Sequence, residues 1–197
     1  YIAYWQNHSQ KSRITLIDQD VLKVDFSALY KDLTPKGASS KLRLVGNLPY
    51  HISSPIIFAA LAQKEYFADM HFLLQKEFVA RMGAAVNESN YGRLSLMCQY
   101  HSKVSMLDVI SADSFKPKPK VDSQIVSLVP HKEDHWGPHD PDHFAKLVQQ
   151  AFSQRRKTLG KSLKDMLSPS QFKESGIDPK RRPQTLSVAE FLCLSRL

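Results

Sequence analysis

Short apolar runs rich in β-branched residues alternate with predicted helices along the first two thirds of this sequence. The runs typical of strands cover residues 14–17, 42–46, 69–74, 94–107 and 124–129. Strands that alternate with helices at this spacing are typical of an α/β fold with a mainly parallel sheet. The last two runs follow each other without a helix between them, which predicts an antiparallel pair at the edge of that sheet.

The segments between these runs are predicted to be helices. Ser53 or Ser54 can cap a helix that has Pro55 at or near its first position and continues to Leu61. Further helices are expected at residues 1–8, 25–33 and 75–85. Residues 1–130 are therefore expected to form one α/β domain.

The character of the sequence changes after Pro130. Residues 131–140 are polar and contain Gly137 and Pro138, a composition typical of a linker. Helices are predicted beyond it at residues 141–154, 156–167, 169–175 and 188–197. We therefore expect a small all-α domain at residues 141–197, joined to the α/β domain by the linker at residues 131–140.

Positive charge is concentrated in this helical region. The chain of 197 residues carries a formal net charge of +8, and a basic excess favours association with polyanions such as nucleic acid. Between residues 155 and 182, three acidic residues accompany nine basic ones, namely Arg155, Arg156, Lys157, Lys161, Lys164, Lys173, Lys180, Arg181 and Arg182. A run of charge is often only a solvated helix face, but so one-sided a concentration favours a nucleic-acid-binding domain.

The sequence disfavours several classes of protein. Cys98 and Cys193 lie far apart and have no zinc-like spacing, so no disulfide framework is expected and a reducing cytoplasm fits. No stretch approaches the roughly 18 to 20 apolar residues of a membrane helix, and the N-terminus shows no signal peptide. Histidines recur every fourth residue from position 131 to 143, but a glycine and two prolines among them prevent a single helix, so no metal site is expected.

A turn with a chemical signature, Asn47-Leu48-Pro49-Tyr50, follows the strand predicted at residues 42–46. Ligands of open α/β sheets bind beyond the carboxyl ends of the strands, so the turn is well placed for a site. Asn47 offers a side-chain carbonyl, and Pro49 favours an extended Leu48 whose own carbonyl can point outward. Tyr50 offers an aromatic face on which a base can stack. Two acceptors beside an aromatic ring suit the exocyclic amine of an adenine. The alternative is an ordinary turn whose Asn caps the backbone.

A second candidate segment contains Phe115 and two prolines. Pro117 and Pro119 favour a stiff, extended conformation. Phe115 would then be presented to a ligand with little conformational entropy left to lose. The alternative is a proline-stiffened connector between two strands.

The turn at Asn47 resembles the (N/D)-(P/L/I)-P-(Y/F) signature of the amino-methyltransferases, and with Gly46 it resembles the form found in the bacterial small-subunit rRNA adenine-N6,N6-dimethyltransferases. Further segments resemble that family in the same order, from about residue 14 to the C-terminus. They are Gln19-Asp20-Val21, Leu74-Gln75-Lys76-Glu77, Tyr91-Gly92-Arg93-Leu94-Ser95, the F-x-P-x-P-x-V-x-S segment from Phe115 to Ser123, and the A-F-S-Q-R-R-K-T-L segment from Ala151 to Leu159.

The resemblance implies a Rossmann-like S-adenosylmethionine methyltransferase sheet followed by a small all-α domain. The implied reaction is transfer of methyl groups to N6 of two adjacent adenosines near the 3′ end of 16S rRNA, in the immature 30S subunit and the cytoplasm, without a metal. It implies a catalytic group of Asn47, Leu48, Pro49, Tyr50 and Phe115, in which Phe115 clamps the base opposite the tyrosine. Asp20 and Asn47 would bind the cofactor, and Arg155, Arg156 and Lys157 would contact RNA phosphates.

The sequence departs from the family in one respect. The glycine-rich G-x-G-x-G loop and the acidic residue that ends the second strand have no match in it. We therefore expect an N-terminally truncated chain in which the first strands of the sheet are missing, and which is inactive by itself. Two alternatives remain open: a non-catalytic RNA-binding factor for assembly of the small subunit, and a large-subunit rRNA adenine methyltransferase.

Overall fold

The computed structural model describes residues 14–34, 40–154 and 156–197. Four strands form one sheet: β1 (Leu42–Asn47), β2 (Phe67–Gln75), β3 (Ser102–Ile110) and β4 (Ser123–Pro130). Eight α-helices accompany them in the described ranges: α1 (Phe26–Leu33), α2 (Ser53–Ala62), α3 (Lys76–Met82), α4 (Arg93–His101), α5 (Pro141–Ser153), α6 (Leu159–Ser162), α7 (Pro169–Ser175) and α8 (Val188–Ser195).

The sheet is mixed, with the strand order β1-β2-β4-β3. β1 and β2 are parallel, whereas β4 pairs antiparallel with both β2 and β3. The predicted antiparallel pair at the edge is therefore confirmed. Among the described strands the sheet is less parallel than expected, because β4 enters it between β2 and β3 in the reverse direction.

One face of the sheet is buried by the helices that follow its strands. Met70, Phe72 and Leu74 alternate along β2 and are at most 1% exposed. They share a core with Ile57 and Leu61 of α2, to which α1 adds its first residue, Phe26. The ring of Phe26 packs edge to face on the ring of Phe67, with 5.0 Å between the centroids. Burial of this apolar face fixes the register of β2, and with it the position of the strand end.

The helix α2 begins differently from its prediction. Ser53 is its first residue rather than its cap, and Pro55 is its third residue. The Ser53 hydroxyl donates to the carbonyl of Pro49, 3.0 Å away. The serine thus holds the preceding turn instead of the free amides of the helix.

The predicted strand at residues 94–107 is wrong in its first half, which forms α4. Leu94 and Cys98 face the core below the sheet, while Leu96, Met97 and Tyr100 face a second core in the helical region. A helix buried on both sides is apolar around most of its circumference. Apolar residues therefore occur at every second position of this helix, which is the pattern typical of a strand.

Two other predicted elements are wrong. Residues 14–17 form no strand, and Leu16 and Ile17 are 40% and 50% exposed. They pair with none of the four described strands, so no ladder satisfies their backbone groups. Of the helix predicted at residues 156–167, only Leu159–Ser162 is α-helical. The predicted end of a helix at residues 1–8 lies outside the described residues.

Residues 131–140 have no helix or strand, but side chains hold them in place. The indole nitrogen of Trp136 donates to the carbonyl of Tyr100 at 2.7 Å, and the ring of His139 bonds the Tyr100 hydroxyl at 2.6 Å. The Arg196 guanidinium donates to the carbonyls of Trp136 and Pro138. The division into two domains with a linker stays a prediction, because α4 contributes side chains to both cores.

We expect stability to depend on pH through His101 at the end of α4. Burial lowers the pKa of its ring to about 4 from an ordinary 6.5, and the nearby positive charge of Lys64 and His131 adds to the shift. The unfolded chain therefore binds the additional proton between pH 6.5 and 4. The stability that this neutral ring contributes is present above pH 6.5 and is lost as the pH falls through that window.

Between pH 7 and pH 5, the free energy of unfolding should fall by about 2 kcal/mol through this residue. Urea unfolding at the two pH values measures it. The His101→Gln variant should lose most of this pH dependence, whereas the exposed His135→Gln should retain it. Equal pH dependence in wild type and His101→Gln would rule out this assignment.

Candidate active site

The turn at Asn47 leaves the sheet at the carboxyl ends of two parallel strands. Asn47 is the last residue of β1 and is paired with Leu73 of β2. The Leu48 amide then donates to the Leu73 carbonyl at 3.3 Å. The turn therefore starts from a fixed point at the sheet edge where ligands of α/β folds bind.

Hydrogen bonds also hold the far end of the turn. The Pro49 carbonyl accepts from the Ile52 amide at 3.1 Å and from the Ser53 hydroxyl at 3.0 Å. A 3₁₀ turn, Tyr50–Ile52, leads directly into α2. Because both ends are tied, the backbone between Asn47 and Tyr50 is held in one conformation.

The segment between β3 and β4 forms the opposite wall. After a 3₁₀ turn, Ala112–Ser114, the half-buried Phe115 is followed by a cis Lys116–Pro117 peptide bond. The two segments line an open cavity of about 340 Å³, a size within the range of ligand pockets. It is lined by Asn47, Leu48, Pro49, Tyr50, Phe115, Pro117 and Pro119. The structure thus brings together all five residues of the predicted catalytic group, although their roles remain predictions.

Polar groups of the turn are available to a ligand. Asn47 is exposed, and no described residue forms a hydrogen bond with its side chain or donates to the carbonyl of Leu48. A strand-end asparagine that caps the backbone would show such a bond, so the described part of the chain gives no support to the capping alternative. Tyr50 is 38% exposed, and its hydroxyl lies 3.0 Å from the Oγ of Ser123.

Ser123 was not among the predicted site residues, although it ends the F-x-P-x-P-x-V-x-S segment. It is 1% exposed at the start of β4. The one sequence feature that could have identified it as a site residue is its position at the end of that motif. Its partner Tyr50 lies 73 positions earlier, however, and no local pattern connects the two.

The structure does not bring Asp20 into this cavity. Asp20 is exposed and caps a 3₁₀ turn, Val21–Lys23, by accepting from the Leu22 amide at 3.0 Å. This turn contacts α2, the helix that follows the Asn47 turn. The predicted cofactor contact at Asp20 therefore stays a prediction.

Two of the three predicted RNA-binding residues, Arg156 and Lys157, follow the end of α5 and do not line the cavity. Arg156 and Lys157 are exposed and line a groove of about 370 Å³ with Ser153 and Gln154. The amide of Lys157 donates to the Gln154 carbonyl at 2.8 Å, which ties the basic pair to the helix end. Arg155 lies outside the described residues.

The comparisons with known proteins identify the family. The family model for ribosomal RNA adenine dimethylase matches residues 3–197. The chain belongs to this family. A ribosomal RNA small subunit methyltransferase A from Alcanivorax borkumensis is 42% identical over 100% of this chain and 68% of its own length. Proteins of that name from Acinetobacter baylyi and Chromohalobacter salexigens are 46% and 47% identical over 93% and 88% of this chain.

The chain spans 61% to 68% of the length of these three relatives. Among solved structures, a dimethyladenosine transferase from Plasmodium falciparum matches with a TM-score of 0.69 and 29% identity, over 81% of this chain and 67% of its own. The 23S rRNA methyltransferase ErmE matches with a TM-score of 0.63 over 98% of this chain and 75% of its own, but its 19% identity shows the fold alone. The predicted family and the α/β class of the rRNA methyltransferases are confirmed.

Within the basic region of this ribosomal RNA adenine dimethylase, one arginine is paired with an acidic residue of the protein. Arg181 is half-buried and pairs with Glu190 at 2.5 Å, and it also donates to the carbonyl of Thr185. Burial raises the pKa of Glu190, but hydrogen bonds from Arg181 and Ser187 outweigh it and leave the pKa below its ordinary value. Arg181 therefore ties the chain before α8 to that helix, and its charge is paired with Glu190 within the protein.

Three of the four histidines of residues 131–143 contact other rings. His131 and His135 stack with 3.9 Å between ring centroids, and His139 bonds Tyr100. Within residues 14–34, 40–154 and 156–197, no group of three or more histidine, cysteine, aspartate or glutamate residues could hold a metal ion. In the same ranges, no helix has the length and apolar character needed to cross a membrane.

Proposed function

We propose that this ribosomal RNA adenine dimethylase transfers methyl groups from S-adenosylmethionine to N6 of two adjacent adenosines near the 3′ end of 16S rRNA. We further propose that the immature 30S subunit is its substrate. The names of the bacterial relatives, ribosomal RNA small subunit methyltransferase A, support the choice of subunit. The observation that carries the proposal is the cavity in which Asn47, unbonded to any described residue, lies with Tyr50 and Phe115. A cytoplasmic location stays a prediction.

Asn47 and Leu48 would hold the amine that reacts. The lone pair of an adenine amine is delocalised into the ring, so the amine is a weak nucleophile. Its two hydrogens can be accepted by the Asn47 side-chain oxygen and the Leu48 carbonyl. These bonds favour a nitrogen whose lone pair points at the methyl donor. Positioning and electrostatics thus supply the catalysis, without a strong base.

Tyr50 and Phe115 would hold the base itself. A base inside a helix cannot present its amine in line with a methyl donor, so the target has to leave its stack. Both residues are partly exposed and line the cavity, and we propose that their rings stack on the two faces of the extruded base. Pro117 and Pro119 keep the Phe115 wall stiff.

The residues predicted to bind the cofactor suit S-adenosylmethionine chemically. The exposed Asp20 carboxylate uses one oxygen on the Leu22 amide, and its second oxygen can accept from an adenine amino group. Asn47 lies at the end of β1, where ligands of such sheets bind. When bound, the cofactor supplies an activated methyl group on a positively charged sulfur.

Methyl transfer to isolated small subunits that lack the modification, followed by mapping of the methylated adenosines, tests the proposal. Two adjacent dimethylated adenosines near the 3′ end of 16S rRNA are expected. Modification of 23S rRNA instead would favour the large-subunit alternative. Binding to small subunits without methyl transfer by the complete protein would favour the assembly-factor alternative.

The basic groove should contribute to RNA affinity in a salt-dependent way. Each phosphate contact of a single strand adds about 0.7 to the slope of log K against log salt, so Arg156→Gln with Lys157→Gln should reduce the slope by about 1.4. Filter binding of the 16S 3′-terminal fragment at several salt concentrations measures it. The exposed pair Lys41→Gln and Lys103→Gln removes the same charge elsewhere and serves as control. Equal slopes for the groove and control variants would contradict the assignment.

A further inference from the structure

The dipeptide Asp122-Ser123 lies where the two walls of the cavity meet the sheet. Ser123 is the first residue of β4 and is paired with Gln75 of β2 and Ile110 of β3. With a strand on each side and 1% exposure, Ser123 has a fixed backbone and a fixed side-chain direction. The two walls are a turn and a loop without a strand ladder of their own, so their positions depend on contacts with a fixed residue of the sheet.

Ser123 holds the first wall through the Tyr50 hydroxyl. The two oxygens lie 3.0 Å apart. Tyr50 is 38% exposed, and its hydroxyl is the polar group through which the ring can be held. A hydrogen bond to a buried strand residue therefore restricts the tilt of a ring that is only partly covered by its neighbours.

Asp122 holds the second wall by closing the loop that carries Phe115. Its side-chain oxygen accepts from the amide of Ala112, at the start of that loop, at 3.0 Å. Its backbone carbonyl accepts from the amide of Lys76, at the start of α3, also at 3.0 Å. Both ends of the loop are therefore tied to the same point, next to the residue that holds Tyr50.

We propose that Asp122 and Ser123 are positioning residues that set the separation and tilt of the two aromatic walls. Ser123 orients Tyr50, and Asp122 fixes the base of the loop that carries Phe115. Neither side chain lines the cavity, so neither touches the target base. This inference rests on the proposed function, because the distance between the two aromatic walls matters only if a base is held between the rings.

A double-mutant cycle on the complete protein tests the Ser123 half, with methyl transfer to unmodified small subunits as the assay. Ser123→Ala and Tyr50→Phe each remove the same hydrogen bond. Each should lower kcat by about five- to tenfold and leave KM for S-adenosylmethionine unchanged. The double variant should be no slower than the slower single variant. Ser127→Ala, a buried serine on the same strand, is the control and should keep the wild-type kcat.

The Asp122 half is tested by rescue. Asp122→Asn keeps an acceptor oxygen for the Ala112 amide and should retain most of kcat, whereas Asp122→Ala should lose about as much as Ser123→Ala. Should Ser123→Ala fail to fold, Tyr50→Phe still removes the bond from its exposed partner.

The outcomes separate this inference from the proposed function. A wild-type protein that transfers no methyl group to small subunits would overturn the proposed function. If the wild type is active, any of three results would overturn the inference. The rate losses of Tyr50→Phe and Ser123→Ala multiply in the double variant, neither single variant loses rate, or Asp122→Ala is as active as Asp122→Asn.

Discussion

Replacement of Asn47 by alanine is expected to lower the rate of methyl transfer by about 10²- to 10³-fold, the usual effect of removing one hydrogen-bonding group that holds the reacting atoms. Asn47 lies in the cavity with the two aromatic residues and bonds no other described residue. Within the described part of the chain, its side-chain oxygen is therefore left available to a ligand. The rate is measured under single-turnover conditions on small subunits that lack the modification.

The stability of the Asn47→Ala protein should be nearly unchanged, since its side chain forms no hydrogen bond with the described part of the chain. Thermal unfolding checks this. Asn90→Ala, which changes another exposed asparagine outside the cavity, is the matched control and should keep the wild-type rate. A rate for Asn47→Ala within threefold of the control would refute the role proposed for Asn47.

The largest expected effect on stability is at Phe144. This residue of α5 is fully buried, and its ring stacks on that of Tyr100 in α4 with 4.3 Å between centroids. Phe144→Ala leaves a cavity at the contact between the helical region and α4. It should cost about 3–5 kcal/mol. For a chain of this size, the melting temperature should fall by about 6–20 °C.

Chemical denaturation at pH 7, above the titration window of His101, measures this change in the free energy of unfolding. Phe144→Leu keeps the site apolar and most of its volume, so it should cost less than about 1.5 kcal/mol. A loss for Phe144→Ala that is no larger than the loss for Phe144→Leu would show that filling this buried volume contributes little to stability.

The sequence predicted those elements whose pattern is local. β2 shows period-two alternation, and α5 begins at Pro141, directly after its capping residue Asp140. The helix α4 was misread because it packs against two cores formed by residues distant in sequence, and its apolar residues therefore do not follow a helical period. Residues 14–17 have strand-forming side chains, but a strand also needs a partner, and sequence alone does not show whether one is present.

In the candidate site too, the local motifs were predicted from the sequence and their arrangement in space was not. The turn from Asn47 to Tyr50 and the stiff segment at Phe115 were recognisable because each is a short motif. That they share one cavity depends on β4 entering the sheet beside β2, which places the start of β4 at the end of β1 and β2. The bond between Tyr50 and Ser123 follows from this topology and could not be read from either motif.

The helix α4 has a consequence for protein engineering. It presents Leu94 and Cys98 to the sheet and Leu96, Met97 and Tyr100 to the helical region, so the helical region completes its core with residues that precede it by about 40 positions. An exchange of helical regions between relatives at residue 140 would pair one protein's α4 with another's α5. A functional chimera therefore has to carry α4 with the helical region, or match the two surfaces of that helix residue by residue.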